Sequence, residues 1–117
     1  MSSLLPSLLL VLSFAVAAAA DACVGCKCCS SDLITITTSG SGAHPFDSDV
    51  IDQTGECAVR TLTCRGELAN IEVNGDGGIV FGEPDAVMEV TCNAEGTFWD
   101  FQGVPITQAE CASKTIE

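Results

Sequence analysis

Four thiols stand within seven residues in Cys23-Val-Gly-Cys-Lys-Cys-Cys29, and four more follow at Cys57, Cys64, Cys92 and Cys111. Cys23-x-x-Cys26 and Cys26-x-x-Cys29 have the short spacing of thiolate sites, and four soft ligands suit Zn or Cu(I). The same residues in an oxidising compartment become cross-links, and a chain of this size gains much from them. A redox Cys-x-x-Cys requires a βαβ setting that the chain does not offer. Other chemistry is sparse. The single histidine, His44, stands in a Gly- and Ser-rich stretch before Pro45, and no nucleophile-elbow motif accompanies it. Asp47 with Asp49 and Glu83 with Asp85 have the types of glycosidase carboxylates or calcium ligands, but such pairs arise by chance in so acidic a chain. The stretch Asn74-Gly-Asp-Gly-Gly78 lacks the later ligands and the terminal Glu of an EF-hand. No enzymatic chemistry, cofactor or metal is expected.

The compartment decides between cage and scaffold. Residues 4–20 form an uncharged apolar run ending in alanines, which reads as a secretory h-region with a cut after Ala20, or at the second small-residue match ending at Ala22. The run is too short and too alanine-rich at its end for a membrane anchor, and no later run is long enough to span a bilayer. The expected mature chain, residues 21–117, is one small exported domain whose core alone would be marginal. The expected compartment is therefore extracellular, and the eight cysteines are expected to be disulfide partners, which disfavours the metal cage. A thiolate metal-binding protein is the alternative, and a small secreted inhibitor or toxin acting through residues 39–49 is another.

Sixteen acidic against four basic residues, all after position 20, give a formal charge of −12. Nucleic acid and anionic membranes reward clustered Lys and Arg, so both are disfavoured as partners. An extracellular protein or matrix component fits better, although an acidic surface also serves simple solubility.

The elements that position these residues read as strands. Leu33–Thr38 is β-branched and alternating, and Ser39–Asp49 is a loop by its Gly, Ser and Pro content. Cys57–Cys64 reads as a second strand and Ala69–Val73 as a third, with Ala69, Ile71 and Val73 on one face. Asn74–Gly78 turns the chain into Ile79–Phe81. Residues 86–92 place Ala86, Met88, Val90 and Cys92 together, and Asn93–Gly96 leads into Thr97–Phe101. Residues 107–112 are left open to one helical turn. Strand after strand with short Gly-rich turns predicts an all-β fold, a disulfide-stapled antiparallel sandwich or barrel. Seven residues separate Cys57 from Cys64, an odd number, so on one regular strand they face opposite ways and cannot bridge each other. Trp99 between Phe98 and Phe101 is expected in the core. No Asn-x-Ser/Thr sequon occurs.

Cys57-Ala-Val-Arg-Thr-Leu-Thr-Cys64, then Cys92 with Trp99 seven residues on, Trp-Asp-Phe-Gln-Gly-Val-Pro-Ile106 and a closing Cys111 resemble the nematode six-cysteine extracellular domain. The resemblance spans most of residues 26–111 and assigns no activity, ligand or catalytic residue. It implies an extracellular setting. It also implies that the first and third family cysteines pair, since copies lacking one tend to lack the other. Carried over, the third is Cys57 and the first is one of the N-terminal four. Cys26 and Cys29 match the family's first and second by their distance from Leu33, leaving Cys23 and Cys28 as an added pair. Cys64, Cys92 and Cys111 then share the remaining bridges with one more cluster thiol. Eight cysteines allow 105 connectivities, and spacing alone does not rank them.

Overall fold

The computed structural model of the protein describes residues 23–75 and 77–114. The proposed leader, residues 1–20, lies outside the described residues. Among the described residues, ten strands form two sheets: β1 (Thr35–Thr37), β2 (Ala43–His44), β3 (Ser48–Asp52), β4 (Val59–Arg65), β5 (Ala69–Val73), β6 (Gly78–Gly82), β7 (Asp85–Cys92), β8 (Trp99–Phe101), β9 (Val104–Ile106) and β10 (Gln108–Ala112). The first sheet runs β1-β10-β5-β6, with β2 also pairing β10, and the second runs β3-β4-β7-β8-β9. Every pairing is antiparallel except β1 with β10. The all-β expectation holds.

Period-2 alternation builds the core. In β7, Ala86, Met88, Val90 and Cys92 are buried while Val87, Glu89 and Thr91 are exposed. β4 answers with Arg60, Leu62 and Cys64, and its register sets Leu62 against Met88 and Cys64 against Ala86. β5 contributes Ala69, Ile71 and Val73 from the other sheet, and β10 adds Ala109 and Cys111. Trp99, Leu62, Ile71 and Met88 are the largest fully buried side chains, so the expected core place of Trp99 holds. Burying such a side chain is worth about 1.5–3 kcal/mol, which makes this small set of residues the main apolar support of the fold.

The turns follow local chemistry. Asn74 adopts φ 52°, its carbonyl oxygen accepts from Thr107 N at 2.8 Å, and its amide donates to Pro105 O at 3.0 Å. The β5–β6 hairpin is thereby tied to the β9–β10 connection. Asn93 Oδ1 accepts from Thr97 N and Phe98 N at 2.7 and 2.9 Å, which closes the β7–β8 turn. That turn ends at Gly96, φ 75°, where an added Cβ would run into the carbonyl oxygen of Gly25. The N-terminal segment thus packs backbone to backbone on the β7–β8 turn.

Several expectations differ from the structure. Cys57 precedes β4 instead of lying on it, because the chain bends through Thr54–Cys57 and the strand opens only at Val59. The face argument built on a continuous Cys57–Cys64 strand therefore does not describe this molecule. Residues 39–49 are not a free loop: Ala43 and His44 pair with Ala112 and Cys111, and Ser48 opens β3. Leu33 ends a 3-10 turn, so the first strand begins at Thr35, and residues 108–112 are a strand with no helical turn. The reason at both places is tertiary, since β10 is sandwiched between β1, β2 and β5 and takes its conformation from them.

Candidate functional site

All eight cysteines are bridged: Cys23–Cys28, Cys26–Cys57, Cys29–Cys92 and Cys64–Cys111. Their Cα separations, 4.8–5.7 Å, suit disulfide geometry. The four thiols of Cys23–Cys29 therefore go to three different places. Cys23 and Cys28 close a small local loop around a 3-10 turn at Gly25–Lys27. Cys26 reaches Cys57, two residues before β4, and Cys29 reaches the end of β7. A disulfide sulfur offers no thiolate, so the cluster is spent as anchorage.

Backbone bonds show what is anchored. Ala58 N donates to Cys26 O at 2.8 Å, and Cys92 N donates to Ala58 O at 2.9 Å. Trp99 Nε1 donates to Ser30 O at 2.9 Å, and Gln53 Nε2 donates to Lys27 O at 2.6 Å. Ile34 and Cys29 are buried. The segment 23–34 is a clamp across one end of the second sheet.

Arg60, a buried cation on β4, completes that clamp. Its Nε and a terminal nitrogen donate to the two carboxylate oxygens of Asp49 at 2.8 and 2.7 Å, and its other nitrogen donates to Ser31 O at 3.1 Å. The guanidinium lies 5.7 Å from the Trp99 ring centroid. All of its charge is thus met by a carboxylate, a carbonyl and a π-face. Asp49, one half of a candidate acidic pair, is a structural counter-ion. Asp47 accepts from Arg65 N at 2.7 Å, and Asp85 lies 3.5 Å from Arg65 Nε at the surface. Glu83 is exposed at the β6–β7 corner.

His44 is on β2, not in a loop. Its Nε2 lies 3.1 Å from Ser113 Oγ, and both ring nitrogens lie 3.6 Å from Cys111 Sγ. His44, Cys64 and Cys111 bring three potential ligand atoms within 4.8 Å. Two of the three are the halves of one disulfide, so the group has the spacing of a metal site without its donors.

Glu110 had no signal in the sequence beyond being one acid among sixteen. It lies on β10, on the face away from the core, and the chain from β1 to β2 folds over it so that only 7% of it is exposed. Its carboxylate accepts from Thr37 Oγ1 at 2.7 Å, Ser39 N at 3.0 Å, Gly40 N at 3.0 Å and Ser39 Oγ at 3.3 Å. The Thr37 hydroxyl foremost, then the Ser39 N–H, hold its pKa below the ordinary carboxylate value, against a smaller effect of burial. These donors come from the end of β1 and the loop that follows it, so the carboxylate organises residues 37–40 and presents no free oxygen to a substrate.

Among the described residues, two openings carry apolar walls. One lies between β6 and the β8–β9 hairpin, about 230 Å³, and is walled by Val73, Val80, Phe101, Val104 and Ile106. The other is shallow and sits by Leu68, Phe81 and Glu83. No helix among the described residues is long and apolar enough to cross a membrane.

Comparison with known proteins agrees with this framework. The uncharacterized protein R07B1.7 of Caenorhabditis elegans is 33% identical over 93 residues, covering 75% of this chain and 65% of that protein. The chain thus spans a little under two thirds of that relative's length. No solved structure matches it. The C6 domain profile matches residues 29–111, from the cysteine that anchors the clamp to the one that crosses between the sheets. The chain therefore belongs to the C6 domain family, the six-cysteine family that its cysteine and tryptophan spacing resembles.

Proposed function

We propose that this chain is a secreted extracellular module that binds, or holds together, extracellular proteins or matrix, and that it does so without catalysis. The observation that carries the proposal is that all eight sulfurs are spent on four bridges. Such bridges persist in oxidising spaces, and they keep a small domain folded where no cell assists it. The side chains with chemical potential have structural duties: Arg60 and Asp49 hold the clamp, Glu110 holds the 37–40 turn, and His44 leans on the Cys64–Cys111 bridge. A rigid frame with exposed apolar and acidic surface suits recognition.

The test is expression in a secretory host. The exported protein is expected to begin at Asp21 or Cys23 by Edman sequencing. Alkylation under denaturing, non-reducing conditions is expected to add no mass. Proximity labelling around it is expected to recover extracellular proteins. Four reactive thiols at Cys23, Cys26, Cys28 and Cys29 with bound Zn or Cu would instead support the metal-binding alternative, and a membrane-held product retaining Met1 would overturn export.

A further inference from the structure

The two sheets are unequal at one side. β6 is the free edge of the first sheet and packs over β7, whereas the second sheet continues past β7 with β8 and β9. In the β8–β9 pairing, Trp99 stands opposite Ile106 and Phe101 opposite Val104. Period 2 puts all four on the inward face. Trp99 and Ile106 are fully buried there, but Val104 is 48% exposed although it faces inward. Among the described residues, the first sheet has no strand to cover it. The trough of about 230 Å³ beside β6 is that missing strand's place.

The edge is open for pairing. Of the other outer strands, β3 carries Asp49 and Asp52, β9 carries Pro105, and β1 and β2 are only three and two residues long. These are the usual ways of blunting an edge. β6, Gly78-Ile-Val-Phe-Gly82, has no charge and no proline, and its outward side chains Ile79 and Phe81 are 51% and 72% exposed. An edge strand keeps every second N–H and C=O unpaired.

Charge selects the occupant. Residues 66–113, which include β5 to β10, contain nine acidic residues and no Lys or Arg. Glu72 lies directly across from Ile79 on the outer face, and Glu83 follows β6 at the corner. A second copy would bring another such surface, with charge −12, against the first. An extended cationic segment is attracted instead. We propose that β6 receives, as an added strand, an extended segment of a partner protein that alternates aliphatic with Lys or Arg residues. Its aliphatic side chains enter the trough onto Val80, Phe101 and Val104. Its basic side chains lay their stems over Ile79 and Phe81 and reach Glu72 and Glu83. This deepens the binding role proposed above and rests on it.

The probe is the capped peptide Thr-Lys-Val-Lys-Val-Lys-Thr, titrated into the full disulfide-bonded protein and followed by amide NMR shifts and hydrogen exchange. The shifts and new protection are expected on Gly78–Gly82, weakened by salt. A peptide with Glu for Lys, and a Lys peptide N-methylated along the edge that faces β6, are each expected to bind about tenfold or more weakly. Val104→Lys, at a half-exposed site, is expected to keep its melting temperature and lose the peptide to the same degree. Equal binding of the Glu or N-methylated peptide, shifts at another edge, no binding, or self-association protecting β6 would each overturn the proposal. Proximity labelling separates the two readings: partners retained by Val104→Lys leave the binding role standing and remove β6 from it, whereas partners found for neither protein remove the binding role itself.

Discussion

At the residue scale, two buried charges support the fold. Glu110 draws the donors of Thr37, Ser39 and Gly40 into one place, and its pKa is lowered by them. A carboxyl whose folded pKa lies below its unfolded value adds stability above the unfolded value, about 4.3, and loses it as pH falls through the folded one. Glu110→Gln is therefore expected to destabilise by about 1–3 kcal/mol at pH 7. The gap to the parent should narrow below the unfolded value and close once the parent's carboxyl is protonated. Thermal melts of both proteins across the acid range check this, and a gap constant with pH would show that charge is not the cause. Arg60→Lys keeps the charge but loses the planar fork that engages both Asp49 oxygens and Ser31 O together. A loss of about 1–3 kcal/mol is expected in denaturant unfolding followed through Trp99 fluorescence.

At the element scale, the four bridges differ in reach. Cys23–Cys28 closes a separation of 5 residues, against 31, 63 and 47 for the others. Chain entropy assigns about 2 kcal/mol to the first and about 4 kcal/mol to each of the rest, not additively because the loops overlap. Paired alanine replacements are thus expected to leave Cys23→Ala/Cys28→Ala secreted and folded, with large losses for the other three pairs, as read by melting temperature and secreted yield. Cys57→Ala alone is expected to secrete less well than Cys26→Ala/Cys57→Ala, because it leaves Cys26 free to attack the remaining bridges. The strands themselves were readable where one face is core. Residues 86–92 alternate as the burial of β7 alternates, and Ala69–Val73 match β5 within the residue. The short partners of β10 were not readable, since Ala43–His44 has no period of its own and is a strand only through Ala112 and Cys111.

For the whole molecule, the dominant quantity is charge. A net −12 on a small domain repels itself in the compact state. Raising salt from about 0.01 to 0.15 M shortens the Debye length from about 30 to 8 Å, so the melting temperature is expected to rise by several degrees at neutral pH. The Arg60–Asp49 pair, with its guanidinium buried and its carboxylate partly exposed, is screened less than fully exposed charges, so it should not reverse the trend. Scanning calorimetry over that range checks the sign, and a fall in melting temperature would mean that the ion pairs outweigh the repulsion.

The sequence by itself determined the all-β class, the core place of Trp99 and membership of a six-cysteine family. These follow from alternation, turn chemistry and cysteine spacing, which are local and survive as strings. Glu110, Arg60 with Asp49, and the uncovered Val104 were decided only by tertiary structure. An acid becomes an anchor when a distant loop closes on it, and a valine becomes exposed when the facing sheet is one strand short. Both depend on which strands become neighbours, and no run of adjacent residues carries that.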